Sequence, residues 1–163
     1  EAELRARGGR EHAPWQARCM RVVHTAWLGG ALIEGGLLGG SRSPFTCLAG
    51  LGLFAAGQLL RRAAMRELGS RWSIKIITLP GAPAVATGIF GRMRHPNYLG
   101  VALEMAGLPL AGGAWMTAAL ASIANGALLL FRIRSEEAAL RADSAYERLA
   151  ARPRLLPRLK VAA

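Results

Sequence analysis

Two long stretches without a charged residue dominate the sequence. Met105–Phe131 contains 27 residues, and Ser43–Leu60 contains 18, without Asp, Glu, Lys or Arg. Stretches of this length are long enough for a helix to cross the hydrocarbon core of a membrane. Charged residues make up only 19% of the 163-residue chain, while 52% of its residues are hydrophobic. These features favour an integral membrane protein and argue against an ordinary soluble globular domain.

The order of the apolar segments predicts an all-α, multi-pass transmembrane helical bundle. Residues 22–41 and 45–60 form two spans, joined by the turn Ser41-Arg42-Ser43-Pro44. Pro109 and Gly112-Gly113 interrupt the apolar run at 99–131. That interruption predicts a C-terminal helical hairpin with arms at about 96–110 and from 114 onward. A polar helix to about 150 follows, ended by Pro153 and Pro157. We expect a single domain over 1–163 with an N-terminal transmembrane part at 1–60, before which a further helix is missing.

The basic residues lie on either side of the hairpin. The net charge is +11, with seven basic residues at 61–98, eight after 131 and one Arg near 42. A hairpin returns the chain to the side it left, so the two basic segments share a face, which the positive-inside rule makes cytoplasmic. Basic residues beside apolar runs indicate anionic lipid as a partner, and not nucleic acid. The Arg-rich, Lys-poor composition suggests a bacterial cell membrane. Cys19 and Cys47 form no CxxC pair, and no metal site is expected.

The first chemically informative stretch surrounds an Arg-His-Pro sequence. Pro96 disfavours helical geometry at His95 and is itself favoured at the first position of a helix. His95 is therefore predicted at the cap, with Pro96, Asn97 and Tyr98 opening the helix. A helix start presents free N–H groups that bind a carboxylate or phosphate. The alternative is an interfacial turn in which Arg94 and Tyr98 anchor the chain at the membrane surface.

The second stretch follows the last apolar run directly. Arg132 and Glu136 are four residues apart and share a helix face. One interpretation is a surface ion pair of little energetic consequence. The other is that Arg132 holds an anionic substrate while Glu136 holds a cationic group. Ionisable residues at the edge of a membrane bundle are functional candidates.

Together the two stretches resemble the isoprenylcysteine carboxyl methyltransferase family. The shared pattern is Gly-x-Phe-x-x-x-Arg-His-Pro-x-Tyr-x-Gly at 88–100, a hairpin, then Arg-x-x-x-Glu-Glu-x-x-Leu at 132–140 and a late Leu-Pro. The resemblance covers about residues 66–158. It implies a membrane O-methyltransferase that uses S-adenosylmethionine on a hydrophobic, lipid-like acceptor. Residues 61–163 then form the cofactor-binding and catalytic part, with the cofactor pocket on the cytosolic side.

Carried over by position, the resemblance also implies the site residues. The cofactor-binding positions are Ala82, Pro83, Ala84, Val85, Phe90, His95, Pro96, Asn97, Tyr98 and Glu136. The catalytic positions are Arg132, Glu136 and His95. Phe90 stands where the family often has Tyr, so one hydroxyl is lost.

The chemistry of methyl transfer suits these residue types. The displacement is in line, so positioning supplies much of the rate. A carboxylate nucleophile is already ionised and needs only a guanidinium such as Arg132 to hold it. A phenol or enol needs a base, and from the sequence His95 is the nearest candidate. The acceptor's identity, the choice between O- and N-methylation and the oligomeric state stay open.

Two intramembrane carboxylates and two rival functions complete the sequence-based interpretation. Glu34 either faces the bundle or the lipid-substrate entry, or it pairs with an Arg, and Glu104 is expected to face the cofactor cavity. The Arg61-Arg62-Arg66 run is expected to be a solvated helix end. The rival functions are an NADPH-dependent membrane reductase of the sterol-reductase type and a non-catalytic membrane scaffold.

Overall fold

The structure, a computed structural model, describes residues 1–40, 43–143 and 146–156. Its helices are α1 (Ala2–Ala6), α2 (Trp15–Ala31), α3 (Pro44–Leu68), α4 (Pro96–Ala111), α5 (Trp115–Asp143) and α6 (Glu147–Ala150). A π-helical turn, Leu32–Leu37, extends α2, and short 3₁₀ turns lie at Gly69–Arg71 and Gly88–Gly91. The strands are β1 (Arg10–His12) and β2 (Ile76–Thr78).

The chain is mainly helical, but it contains one strand pair that the all-α prediction did not include. β1 and β2 are antiparallel, with Arg10 opposite Thr78 and His12 opposite Ile76. The pair joins the N-terminal segment to the connection between α3 and α4. Since its two strands are more than 60 residues apart, no local pattern in the sequence announced the pairing.

The predicted hairpin is present, with α4 and α5 as its arms. His95 is the N-cap of α4 and Pro96 its first residue, as the Arg-His-Pro sequence predicted. Pro109 is tolerated near the end of α4, and the turn closes at Gly113, whose φ of 75° suits glycine. The predicted helix at 132–150 ends earlier, because α5 stops at Asp143 and α6 is a separate short helix.

The second predicted span is longer than expected. Ser43 caps α3 by accepting a hydrogen bond from the backbone of Thr46, and the helix runs on to Leu68, past the three arginines that follow residue 60. Arg61 is not a fully solvated side chain, because it pairs with Glu104 of α4. Ser41 and Arg42 of the predicted turn, and Pro157, one of the two prolines predicted to end the last helix, lie outside the described residues.

Small residues set the closeness of α3 and α4, the most extensive helix pairing in the fold. A Cβ atom at Gly57 would lie 2.6 Å from the carbonyl oxygen of Gly100, and one at Gly107 would lie 2.6 Å from the nitrogen of Phe54. Glycines allow helix backbones to approach in this way in a membrane. In the described part of the chain one helix, α5, is long and apolar enough to cross a membrane.

Candidate active site

A cavity of about 370 Å³ lies between α2, the segment after α3, the start of α4 and the polar half of α5. Its volume falls within the range of small-molecule and cofactor sites. The predicted site residues that line it are Ala82, Pro83, Ala84, Val85, Phe90, His95, Asn97, Tyr98, Arg132 and Glu136. Pro96 does not line the cavity, because it is buried as the first residue of α4.

Tyr98 joins the two catalytic candidates of α5. Its hydroxyl accepts a hydrogen bond from Nε of Arg132 at 3.0 Å and donates one to Oε2 of Glu136 at 2.6 Å. The direct ion pair between Arg132 and Glu136 that their spacing suggested is thus replaced by a bridge through a phenol. A second guanidinium nitrogen of Arg132 donates to the backbone carbonyl of Ile74. Arg132 is therefore fixed on two sides.

His95 lies between two carboxylates. Its Nε2 is 3.2 Å from Oε1 of Glu137, and its Nδ1 is 3.6 Å from Oε2 of Glu136. The ring stacks on Tyr98 with 5.3 Å between centroids and is only 4% exposed. Both ring nitrogens are thus directed at carboxylates of α5, and neither is directed at an acceptor in the cavity.

Glu137 organises the site although the sequence analysis gave it no role. Its carboxylate is 2% exposed and accepts hydrogen bonds from Arg94 at 2.9 Å and from two nitrogens of Arg154 at 2.9 and 3.1 Å. The backbone N–H groups of Arg94 and His95 also donate to the carbonyls of Pro153 and Arg154, each at 2.9 Å. The segment at 153–154 is thereby fastened to the Arg-His-Pro sequence. The sequence offered one signal for this residue, because Glu137 directly follows the predicted site residue Glu136.

The same network shifts the pKa values of two groups near the chain's last described segment. Hydrogen bonding to Glu137 raises the pKa of the Arg154 guanidinium, so Arg154 stays charged. Burial raises the pKa of the Tyr146 phenol, which accepts a hydrogen bond from Arg94 at 3.4 Å. Both pKa shifts favour the protonated form of the group concerned.

The two carboxylates of the predicted spans, Glu34 and Glu104, lie outside the cavity. Glu34 accepts hydrogen bonds from the backbone nitrogens of Met116 and Thr117 at 2.9 and 2.7 Å, so it caps the start of α5, and it pairs with no Arg among the described residues. Glu104 was expected to face the cofactor cavity, but it packs against α3 and pairs with Arg61 at 2.6 Å. The reason is the close approach of α4 to Gly57, which brings Arg61 within reach.

Several buried polar atoms on residues that line the cavity have no hydrogen-bond partner within the part of the chain that the structure describes. They are Nε1 of Trp72, Oδ1 of Asn97 and Nε of Arg94 and of Arg61. Buried polar groups are rarely left unpaired. A polar ligand inside the cavity would supply the missing hydrogen bonds. Within the described residues, no group of three or more His, Cys, Asp or Glu is arranged to hold a metal ion.

The two motifs and the helical hairpin between them lie in a region that matches a family of membrane-associated methyltransferases. The family model of the isoprenylcysteine carboxyl methyltransferases matches residues 50–142, and the chain belongs to that family. The resemblance found in the motifs is thus confirmed. Methyltransferases of this family use S-adenosylmethionine in general.

Two bacterial relatives are similar to the chain. The uncharacterized protein YpbQ of Bacillus subtilis (strain 168) is 43% identical over 83 residues, which are 51% of this chain and 49% of the relative. The chain thus spans about half the length of that relative. An uncharacterized protein of Haemophilus influenzae (strain ATCC 51907 / DSM 11121 / KW20 / Rd) is 28% identical over 141 residues, 86% of this chain and 81% of the relative. No solved structure matches the chain significantly.

Proposed function

We propose that the protein is an S-adenosylmethionine-dependent O-methyltransferase that acts on the carboxylate or acidic hydroxyl of a hydrophobic acceptor at the membrane. The observation that carries this proposal is the convergence of His95, Tyr98, Arg132 and Glu136 on one cavity. These residues come from both family motifs and are bonded to one another through Tyr98. The unpaired polar atoms around them fit a ligand that is rich in donors and acceptors.

The residues around the cavity fit the chemical parts of the cofactor. When bound, it supplies an electrophilic methyl group on a positively charged sulfonium. Glu136 offers a carboxylate to a cationic centre, and the orphaned carbonyl oxygen of Asn97 accepts a hydrogen bond from an amino or hydroxyl group. The orphaned nitrogen of Trp72 donates to an acceptor. The apolar stretch at 82–85, together with Phe90, offers a dry surface for a flat ring.

The acceptor side of the same cavity is largely apolar. Met20, Ile74 and Val101 line it together with Arg132. Arg132, which is fixed by Tyr98 and by the carbonyl of Ile74, would hold the oxygen that receives the methyl group. Holding that oxygen in line with the S–CH₃ bond would lower the barrier to methyl transfer, because the reacting atoms are already positioned.

The surface of the bundle supports several passes through a membrane with the site on the cytoplasmic side. Large apolar side chains are exposed along three elements: Val22, Leu28, Leu32, Ile33 and Leu37 on α2 and its extension, Phe45, Leu48, Leu51 and Leu59 on α3, and Met116, Leu120, Ile123, Leu130 and Phe131 on α5. An apolar surface of this extent suits contact with lipid. The basic residues gather at the cavity end, as the positive-inside rule requires of a cytoplasmic face.

Cofactor binding in detergent tests the proposal. We expect calorimetry to show that the parental protein binds S-adenosylmethionine, and that Glu136→Gln weakens binding by about tenfold or more, because a hydrogen bond to a charged group contributes about 1.5–3 kcal/mol. Glu147→Gln, at an exposed position on α6, is the matched control and should bind normally. Mass spectrometry of lipid extracts should then show a product heavier by one CH₂ unit.

Three results would contradict the proposal. Absence of cofactor binding would favour the membrane scaffold. Oxidation of NADPH without methyl transfer would favour the reductase. Equal affinity in the Glu136→Gln variant would remove Glu136 from the cofactor site.

A further inference from the structure

A hydroxyl acceptor must lose its proton as its oxygen forms a bond to the methyl carbon. His95 cannot take this proton in the geometry described, because both of its ring nitrogens face carboxylates. The site therefore needs a different base if the acceptor is a hydroxyl. The only other histidine that lines the cavity is His24, among the described residues.

His24 lies on the wall of the cavity that α2 contributes. Ala17, Met20, Arg21 and His24 all line the cavity, and their spacing places them on one face of the helix. α2 lies outside residues 50–142, which match the family model. This wall is therefore separate from the two motifs that carry the cofactor prediction.

The hydrogen bonding of His24 leaves one ring nitrogen available to accept a proton. Nδ1 lies 2.8 Å from the carbonyl oxygen of Met20. A carbonyl oxygen only accepts, so Nδ1 carries the hydrogen and Nε2 of the neutral ring carries a lone pair. No hydrogen bond to Nε2 is found within the part of the chain that the structure describes. Trp27, with its ring edge-on at 6.0 Å between centroids, fixes the ring's orientation.

Positively charged side chains predominate around the cavity. The charged and titratable side chains that line the cavity are Arg21 of α2, Arg61 of α3, Arg71, Lys75 and Arg94 of the α3–α4 connection, His95 of the α4 cap, Tyr98 of α4, and Arg132 and Glu136 of α5. Cations outnumber the single carboxylate in this set. Neighbouring positive charges favour the ionised form of an acceptor oxygen, which is the form that attacks the methyl group.

The bonding of Arg132 also suits a single acceptor oxygen. Its Nε and one terminal nitrogen already donate to Tyr98 and to the carbonyl of Ile74. Three of the five N–H groups of the guanidinium are left for an acceptor. A hydroxyl oxygen needs only one of the remaining N–H groups.

From this geometry we infer that His24 is the general base that deprotonates a phenolic or enolic hydroxyl acceptor. Nε2 takes the hydroxyl proton while the oxygen forms its bond to the methyl carbon. The S–CH₃ bond of S-adenosylmethionine breaks, its electron pair passes to sulfur, and a neutral thioether leaves. The imidazolium then returns its proton to water. This inference rests on the proposed function.

Two acceptors, a phenol and a carboxylic acid, distinguish a general base at His24 from a residue that has only a structural role. The parental protein and the His24→Asn variant are assayed with S-adenosylmethionine and either para-dodecylphenol or para-dodecylbenzoic acid, from mildly acidic to strongly alkaline pH. General-base catalysis contributes about 10²–10⁴-fold. We therefore expect a loss of about 10²-fold or more for the phenol near neutral pH. The loss should shrink at alkaline pH, where the phenol ionises in solution, and the benzoic acid should show no loss.

Binding measurements and a neighbouring variant complete the experiment. Thr25→Ala, at the next and exposed position of α2, is the control and should behave as the parental protein. Calorimetry should show unchanged cofactor affinity in His24→Asn, which establishes that the variant is folded. His24→Gln repeats the test if His24→Asn binds cofactor poorly.

The inference is overturned by any of four results: a parental rate with the phenol in both His24 variants, an equal loss with both acceptors, a loss that does not vary with pH, or a parental protein that does not methylate the phenol. Each of these leaves the proposed function intact when cofactor binds and either the benzoic acid or a native lipid is methylated. A parental protein that binds no cofactor overturns the proposed function and, with it, this inference.

Discussion

Among single residues, Tyr98 connects the parts of the site that the chain supplies from different elements. Its hydroxyl bridges Arg132 and Glu136, and its ring stacks on His95. The phenol is buried, so neither hydrogen bond competes with water. A change in any one of these side chains therefore alters the position of the others. The sequence placed Tyr98 at a helix start but gave no indication that it would separate Arg132 from Glu136.

Arg132→Ala should abolish methyl transfer while leaving cofactor binding nearly unchanged. The guanidinium would hold the acceptor oxygen, whereas the cationic part of the cofactor would rest on Glu136. Turnover with a radiolabelled methyl donor and calorimetry on the same preparation check the two halves of this prediction. Arg134→Ala, two positions along α5 and exposed, is the control. Parental turnover in Arg132→Ala would refute the role given to this residue.

Among the elements, α3 and α4 determine where the start of α4 lies and hence where His95 and Tyr98 point. Their contact depends on glycines whose missing side chains allow backbone to meet backbone. Arg61 and Glu104 join the same two helices by an ion pair. Displacement of α4 along this contact would move the Arg-His-Pro sequence away from α5.

Gly57→Ala should destabilise the protein by about 1–3 kcal/mol, the usual cost of forcing an extra carbon into a packed interface. The added Cβ would lie 2.6 Å from the carbonyl oxygen of Gly100. Gly52→Ala lies on the same helix with no other atom within 4 Å of the added carbon and is the matched control. Unfolding in a detergent titration measures both. Equal stability of the two variants would show that the contact between α3 and α4 is looser than described.

The elements that the sequence predicted well are those with local signals. Pro96 and Gly112-Gly113 bound the hairpin arms, and the structure places both ends of α4 and the start of α5 within a residue or two of the predicted limits. The strand pair, the Glu34 cap and the network around Glu137 were not foreseen. Each of these three features joins residues that are distant in the chain, apart from the contact of Glu137 with Arg141 within α5. The residues involved form no local pattern that would predict the contacts. The site residues could be named from the two motifs, but the hydrogen bonds between them could not.

At the scale of the whole molecule, the hairpin brings the Arg-His-Pro sequence and the polar end of α5 to one end of the bundle. The other end carries the Glu34 cap and the turn at Gly113. The basic residues that line the cavity lie at the first end. The cavity therefore lies at one end of the molecule and the turn at Gly113 lies at the other, with exposed apolar side chains between them.

Accessibility of single cysteines should show that these ends face opposite sides of the membrane. With Cys19 and Cys47 replaced by Ser, Arg92→Cys should react with a membrane-impermeant maleimide only from the cytoplasmic side. Leu38→Cys, near the turn at Gly113, should react only from the opposite side. Labelling of intact cells and of inverted vesicles measures this. Reaction of both cysteines from the same side would contradict the multi-pass topology.

The cavity has polar residues beside it and exposed apolar side chains nearby. The proposed reaction would therefore draw its two reactants from different phases, the nucleotide-like donor from water and the hydrophobic acceptor from the lipid, where it would diffuse in two dimensions. The rate will then follow the mole fraction of acceptor within the lipid or detergent, and dilution with inert amphiphile will slow turnover at constant total concentration. The product of the proposed reaction, an ether or an ester, no longer has the acidic hydrogen of the acceptor. It is therefore less polar than the acceptor and would return to the surrounding hydrocarbon.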